Sequence, residues 1–324
     1  MKIYRHLDSM RSATEPAVVA IGVFDGLHRG HQRVLDRTIG VAKACRGAPW
    51  VLTFDMHPRH VLRSDPPPML TGNKHKLLLL KRYGMAGCLL LTFSEALAST
   101  EAETFVQSLR ESIPRLAGVV VGRNWRFGRA GKGDAALLRR LLAEDDVEVE
   151  AIEPVARNGE VVSSTRIRGV VSDGDLDEAE AMLGRPFSVL GTVVAGASIG
   201  RTLGVPTANL EYANEAMPPP GVYAVHALVG DAIRDGVFSY GNRPTFGGDT
   251  GGKPCAELHV LDFSGDLYGR DIEVFFISRM RDVRTFHSPH ELVERIRRDI
   301  DAARGELGQK NVKESLYTHC FGGL

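Results

Sequence analysis

The sequence has no paired-cysteine motif. Its four cysteines, Cys45, Cys88, Cys255 and Cys320, stand far apart with no C-x-x-C spacing. That excludes a small secreted disulfide scaffold and makes reduced thiols in a cytoplasmic protein the expectation. Charge of one sign is missing too: 40 lysines and arginines balance 40 aspartates and glutamates, which excludes a dominant nucleic-acid surface. The N-terminal Met-Lys-Ile-Tyr-Arg-His-Leu-Asp lacks the apolar run of a signal peptide. Apolar stretches such as 77–80 and 88–91 are far too short to span a bilayer. There is no internal repeat and no low-complexity tract. What is present is ample apolar material: 324 residues, 43% hydrophobic and 25% charged, enough for one large domain or two ordinary ones with real cores.

The first half alternates in period. Residues 17–23, 50–54, 87–91, 118–121 and 147–152 read as short buried strands. Between them, 32–44 (with Val34, Leu35, Thr38, Ile39 and Ala42 at helical spacing), 74–83, 102–109 and 135–143 read as helices. This alternation predicts a parallel sheet covered on both faces, with ligands beyond the carboxyl ends of the strands. A further helix is expected over 176–183. After about Pro186 the runs are short and strand-like, at 189–194, 222–229, 233–239, 257–263 and 272–277, separated by glycine, proline and aspartate turns. That predicts an antiparallel barrel or sandwich, closed by an amphipathic helix over 289–303 with Leu292, Ile296 and Ile300 on one stripe. The expected division is a first domain over 1–186, a second over 187–308, and a flexible tail over 309–324.

Chemistry concentrates first in Gly22-Val-Phe-Asp-Gly-Leu-His28-Arg-Gly-His31. Gly22 and Gly26 flank a turn where backbone can approach a ligand, with Phe24 and Asp25 between them. His28 and His31 at the following helix start fall on one side of it. Helix N-termini attract phosphates, and imidazoles there can donate hydrogen bonds as negative charge builds. A metal pair or two solvated histidines are the plain alternatives. In Ser163-Ser-Thr-Arg-Ile-Arg168, the hydroxyls of Ser164 and Thr165 and the Arg168 guanidinium suit phosphate oxygens, while either serine also suits a helix cap. Asn124 sits in a turn, Trp125 is better placed in the core, and 128–133 is a glycine-rich basic loop of the mobile, ligand-covering kind or a surface turn. No nucleophilic cysteine motif is visible.

These segments resemble the H-x-G-H nucleotidyltransferases, and more specifically the bacterial bifunctional riboflavin kinase/FMN adenylyltransferase family, the FAD synthetases. Thr53-Phe-Asp-Met-His-Pro58, Leu70-Thr-Gly-Asn-Lys-His-Lys76 and Gly122-Arg-Asn-Trp-Arg-Phe-Gly128 resemble elements of that family. In the second half, Gly200-Arg-Thr-Leu-Gly-Val-Pro-Thr-Ala-Asn209, Gly221-Val-Tyr, Gly241-Asn-Arg-Pro-Thr-Phe246, Glu257-Leu-His259, Asp262-Phe-Ser-Gly-Asp-Leu-Tyr-Gly269 and Arg281…Phe286 do the same. The chain departs from the pattern at Trp125, Val205, Ser239-Tyr240 and Val283.

The resemblance implies a Rossmann-like doubly wound domain followed by an antiparallel β-barrel kinase domain with a terminal helix. It implies that riboflavin is phosphorylated to FMN in the barrel, and that FMN is adenylylated to FAD in the first domain, with ATP and Mg2+. His28, His31 and Glu257 are the implied catalytic residues, Glu257 as the base for the ribityl hydroxyl. Gly22, Phe24, Asp25, Gly26, Ser164, Thr165, Arg168, Gly200 and Arg201 are the implied ATP and phosphate contacts. His57, Pro58, Asn124, Arg126, Tyr268 and Arg281 are the implied flavin contacts, and Thr207 and Asn209 the magnesium ligands. Expected partners are ATP, riboflavin, FMN and FAD, with no nucleic acid and no membrane. The oligomeric state stays open. Another H-x-G-H transferase would lack the Pro-Thr-Ala-Asn barrel; a non-catalytic flavin-binding protein is the rival of a different class.

Overall fold

A computed structural model of the chain describes residues 1–62, 64–196, 205–241, 254–286, 288–310 and 312–322. The chain divides into two compact units, Met1–Met69 with Asn73–Arg166, and Leu70–Gly72 with Ile167–Gly322.

The first unit is built on a parallel sheet. Its strands are β1 (Lys2–Tyr4), β2 (Ala17–Ile21), β3 (Ala48–Phe54), β4 (Gly87–Leu91), β5 (Leu116–Gly122) and β6 (Glu148–Ile152), in the order β1-β4-β3-β2-β5-β6. The helices are α1 (Arg29–Ala44), α2 (Arg59–Leu62), α3 (Asn73–Arg82), α4 (Glu95–Ser99), α5 (Ala102–Ser112) and α6 (Ala135–Leu141). Every residue of β2 and β4 is buried, which is why these strands read as unbroken apolar runs. Alternate residues feed opposite cores. Val19, Ile21, Leu52 and Val121 pack with Phe105, Leu109 and Leu138 of α5 and α6. Val18, Ala20, Val51 and Leu90 pack with Val34, Leu35, Leu79 and Leu80 of α1 and α3. The doubly wound expectation therefore holds. The one strand it lacked, β1, is three mostly exposed residues on the sheet edge, too short to print a period. Of the two readings for 128–133, the turn is what is seen: Phe127 and Gly133 exchange backbone hydrogen bonds of 3.0 and 2.8 Å around a 3-10 turn. A small hairpin, β7 (Ala156–Arg157) and β8 (Glu160–Val161), turns through Asn158 and Gly159, both at positive φ.

Helix α7 (Ser164–Asp173) leads into α8 (Leu176–Leu183), which Asp175 caps by accepting from the Glu178 N–H and Gly184 ends in the left-handed region. The strands β9 (Ser188–Val194), β10 (Ala208–Tyr212), β11 (Gly221–Val229), β12 (Ala232–Gly241), β13 (Cys255–Val260) and β14 (Asp271–Arg281) then close into an antiparallel barrel, β10-β13-β12-β11-β14-β9. Closure settles the choice between barrel and sandwich. Tyr223 and Phe238 set their rings edge-on to Phe276, at 5.1 and 5.2 Å. Helix α9 (Pro289–Gln309), capped by Ser288, packs Ala303 and Leu307 on Val222, Ala224 and Val237. The tail is a correction. Residues Lys313–Phe321 form α10, which buries Leu316 against Ile233 and Phe275 and pairs Lys313 with Asp235 at 2.9 Å. Cys320 joins that cluster, His319 meets Phe275 edge-on and Tyr317 Oη accepts from the Ile233 N–H, so the docked face is of mixed polarity and carries no apolar stripe for a sequence pattern to reveal.

Candidate active sites

The first site grows from the turn after β2. Phe24, Gly26 and Leu27 all adopt positive φ, at 51°, 79° and 45°. Two of the three carry side chains that this region disfavours, so the surroundings must impose the bend. They do so by bonding Val23: its carbonyl accepts from Thr53 Oγ1 at 2.9 Å and from Lys76 Nζ at 3.4 Å. Phe24 and Leu27 are themselves almost wholly buried.

The bend delivers His28 as the N-cap of α1, its Nδ1 accepting from the His31 N–H at 3.3 Å. The two imidazoles stack, with centroids 3.6 Å apart and planes at 18°, and Phe24 meets His31 edge-on at 5.2 Å. Burial, then the positive ends of His28 and Lys76, hold His31 well below the ordinary histidine range, so it is neutral at neutral pH. Its Nδ1 has no hydrogen-bond partner among the described residues. A phosphate oxygen arriving at the helix start would supply one. A Cβ at Gly30 would lie 3.1 Å from the His28 ring, so that ring would have to give by a few tenths of an ångström.

A cleft of about 270 Å³ opens over these rings. It is lined by Gly22, Phe24, His28, Gly30 and His31, and on the far side by Asn124, Trp125 and Val155. It reaches Ile21, Gly122 and Ile152, the last residues of β2, β5 and β6. The chain winds away from β2 in both directions in this sheet, so the cleft sits at the topological switch point where such folds bind nucleotides. Trp125, expected in the core, stacks on Phe127 at 4.7 Å beside it and also lines the cleft.

Ser164 Oγ donates to the Asp25 carbonyl at 2.9 Å, joining the second phosphate segment to the turn, and Ser163 Oγ accepts from the Arg166 N–H as a cap. Thr165 is exposed on α7, and Arg168 follows Ser164 by one helical turn. Three of the expected flavin contacts do not line the cleft. His57 Nδ1 accepts from the Arg59 N–H at 3.1 Å and Pro58 begins the turn into α2; Arg126 is exposed and bonds the Trp125 carbonyl.

The second site lies on the barrel. Asn209 of β10 and Glu257 of β13 are direct cross-strand partners, which sets their Cβ atoms roughly 5 Å apart on one face. Thr207 lies just before β10, outside the strand, and lines the adjoining cavity. His259 Nδ1 donates to the Pro206 carbonyl at 2.7 Å and ties the Pro-Thr segment to β13. Cys255 Sγ lies 3.5 Å from Glu257 Oε1 and 3.7 Å from Asn209 Oδ1. Beside this pair a cavity of about 550 Å³ is lined by Thr207, Val193, Leu258, Val260, Phe263 and Tyr268 among others. Arg281 points its guanidinium at Asp299 of α9, with contacts of 2.6–3.1 Å that Arg295 shares. Gly200, Arg201 and the Asn242–Phe246 segment lie outside the described residues.

Cys255 escaped the sequence reading, and Lys76 entered it only as the end of the Leu70–Lys76 family element, with no role assigned. Lys76 had a signal: it stands at i, i+3 and i+4 with Leu79 and Leu80, the buried stripe of α3. Cys255 had only its alternation with Glu257 on a strand.

A family model described as FAD synthetase matches residues 10–166, and one described as riboflavin kinase matches 183–307. The chain is 34% identical over 311 residues to the bifunctional riboflavin kinase/FMN adenylyltransferase of Escherichia coli K12, covering 95% of this chain and 98% of that one. It is 34% identical over 304 residues to the enzyme of the same description from Pseudomonas fluorescens, covering 94% and 97%. A crystal structure described as the macrolide-efflux protein from Streptococcus pneumoniae matches with a TM-score of 0.78 at 31% identity, covering 93% and 98%.

Proposed function

The chain belongs to the bacterial bifunctional riboflavin kinase/FMN adenylyltransferase family, and on that premise we propose how its two sites divide the work. It makes FMN from riboflavin and FAD from FMN, with ATP as the donor in both steps. The observation that carries this reading is that each family model falls on one architecture, the parallel sheet or the barrel, and each architecture has its own cleft.

In the first site, the FMN phosphate attacks the α-phosphorus of ATP and pyrophosphate leaves. The attacking group is already anionic, so positioning and charge stabilisation carry the step, with no covalent enzyme intermediate. His28 and His31 stabilise the α-phosphate as charge builds. Neutral His31 fits that role, because an imidazole N–H donates without needing to be protonated further. The turn Gly22, Phe24, Asp25 and Gly26 seats the phosphates, and Ser164, Thr165 and Arg168 hold the leaving pyrophosphate. Asn124 meets the flavin across the cleft; His57, Pro58 and Arg126 are flavin contacts of the outer rim.

On the barrel, Glu257 takes the proton of the ribityl 5′-hydroxyl as it attacks the γ-phosphorus of ATP, and ADP leaves. Thr207 and Asn209 are oxygen donors two residues apart, a set that fits Mg2+. Magnesium there would neutralise phosphate charge. The neighbouring cavity, walled by aliphatic side chains, Phe263 and Tyr268, suits a nucleotide base next to Thr207. Gly200, Arg201 and Arg281 complete the proposed ATP and flavin contacts. We also place the enzyme in the cytoplasm without nucleic-acid or membrane partners, a reading supported by the balanced charge and scattered cysteines. Among the described residues no helix is long and apolar enough to cross a membrane.

Incubation with riboflavin, ATP and magnesium, followed by chromatography of the flavins, tests the assignment. FMN and FAD are expected. FMN alone would mean a silent first site, and neither product would leave a flavin-binding protein.

A further inference from the structure

Lys76 is 0% exposed. Taking an ammonium out of water is costly unless the charge is paired or used. This one donates to two carbonyls, Phe54 O at 2.7 Å and Val23 O at 3.4 Å, and has no carboxylate at ion-pair distance among the described residues. Both carbonyls are strategic. Phe54 ends β3, and Val23 lies just past the end of β2 and just before the strained Phe24. Around the ammonium stand Asp25 from the turn, Asp55 from the chain after β3, Cys88 of β4 and His31 of α1. Burial lowers the Lys76 pKa, and the charges of Asp25, Cys88 and Asp55 work against that.

We propose that Lys76 is a positioning residue for adenylyl transfer: its ammonium ties the ends of β2 and β3 together beneath the histidine turn and sets a fixed positive charge behind the phosphate cleft. Two consequences follow from the geometry. The Val23 carbonyl, held by both Thr53 and Lys76, cannot rotate, so the bend that aims His28 and His31 is fixed before substrate arrives. The positive charge also favours the neutral form of His31, alongside the neighbouring His28. The ligand that completes the site is a polyphosphate, drawn to an ammonium that makes no direct ion pair among the described residues although Asp25 and Asp55 lie in its field.

This inference rests on the reading of the histidine turn as the adenylyl-transfer site. That reading has its own test: an His31→Ala variant with full FAD formation would remove it, whatever Lys76 does. The test of Lys76 uses the full chain, with riboflavin phosphorylation on the barrel as the internal standard. Lys76→Met removes both charge and donor; Lys76→Gln keeps a donor and removes the charge. FMN adenylylation is expected to fall about 100-fold in Lys76→Met, the scale of a misplaced reacting group, with the kinase rate held within about twofold. In Lys76→Gln the loss is smaller, and the acid limb of the pH profile for FAD formation moves to higher pH, because His31 loses a like charge. A purely structural lysine would not move that limb. Unchanged FAD formation in both variants overturns the proposal. So does an unmoved acid limb in Lys76→Gln, and so does loss of the first unit's unfolding transition in both variants.

Discussion

At the histidine turn, the reactive groups sit on backbone that disfavours its own conformation: Phe24 and Leu27 are at positive φ, and buried donors from β3 and α3 hold the bend. At the Asn209–Glu257 pair, the backbone is ordinary antiparallel sheet and the register alone brings the groups together. The first site stores strain and needs supports beyond the groups that touch substrate. The second inherits its geometry from a closed barrel and needs only the right residue at the right rung. Lesions at a distance should therefore hurt the first site more than the second.

The largest effects should separate the two sites cleanly. His31→Ala is expected to cost FAD formation from FMN about 10³-fold, the scale of a lost transition-state donor, and to leave riboflavin phosphorylation untouched in the same assay. Glu257→Gln should do the reverse: the kinase rate falls at least about 100-fold, as for a lost general base, while FMN added directly is still converted to FAD. A variant that silenced both activities together would break the comparison.

Stability should divide in the same way. Leu316→Ala, which empties the α10 contact on Ile233 and Phe275, is expected to cost the barrel about 2–5 kcal/mol. Calorimetry should show that transition falling while the other stays in place. Acid should act on the first unit. The folded His31 refuses a proton that the unfolded imidazole takes up near pH 6.5, so the stability it confers is whole above that pH and is lost as pH falls through it, by at most roughly 1.4 kcal/mol per pH unit. His226 in the barrel is lowered as well, by burial and by Lys313, but Asp235 at 3.0 Å offsets part of that. The barrel's transition should be the less acid-sensitive of the two. The smallest effect is expected at Cys255→Ala, about twofold in the kinase rate, because a thiol is a weak donor to Glu257 and Asn209.

Much of this was legible beforehand, for a physical reason. Strands buried on both faces, such as β2 and β4, print as apolar runs, and the glycine-flanked histidines after β2 mark the turn. The strand β10 was not legible: Ala208–Tyr212 mixes small and polar residues because its work is to present Asn209, and only its motif gave it away. The inward turn of Lys76 was hidden for a similar reason. In a helix rich in leucine and lysine, composition does not say which lysine faces the sheet, although the spacing to Leu79 and Leu80 does. Of the residues expected at the first site, the histidines, Gly22, Phe24 and Asn124 line the cleft, while Asp25, Gly26, Ser164, Thr165 and Arg168, and the expected flavin contacts His57, Pro58 and Arg126, do not.

The rung that joins Asn209 to Glu257 also constrains what the gene can tolerate. Side chains alternate sides along β10. Adding or deleting one codon upstream of Asn209, within the stretch that feeds the strand, would turn the asparagine to the opposite side of the barrel wall and present Ala208 or Leu210 in its place. A change of two codons would restore the side. Length variation within β10 is thus filtered by parity, in even steps.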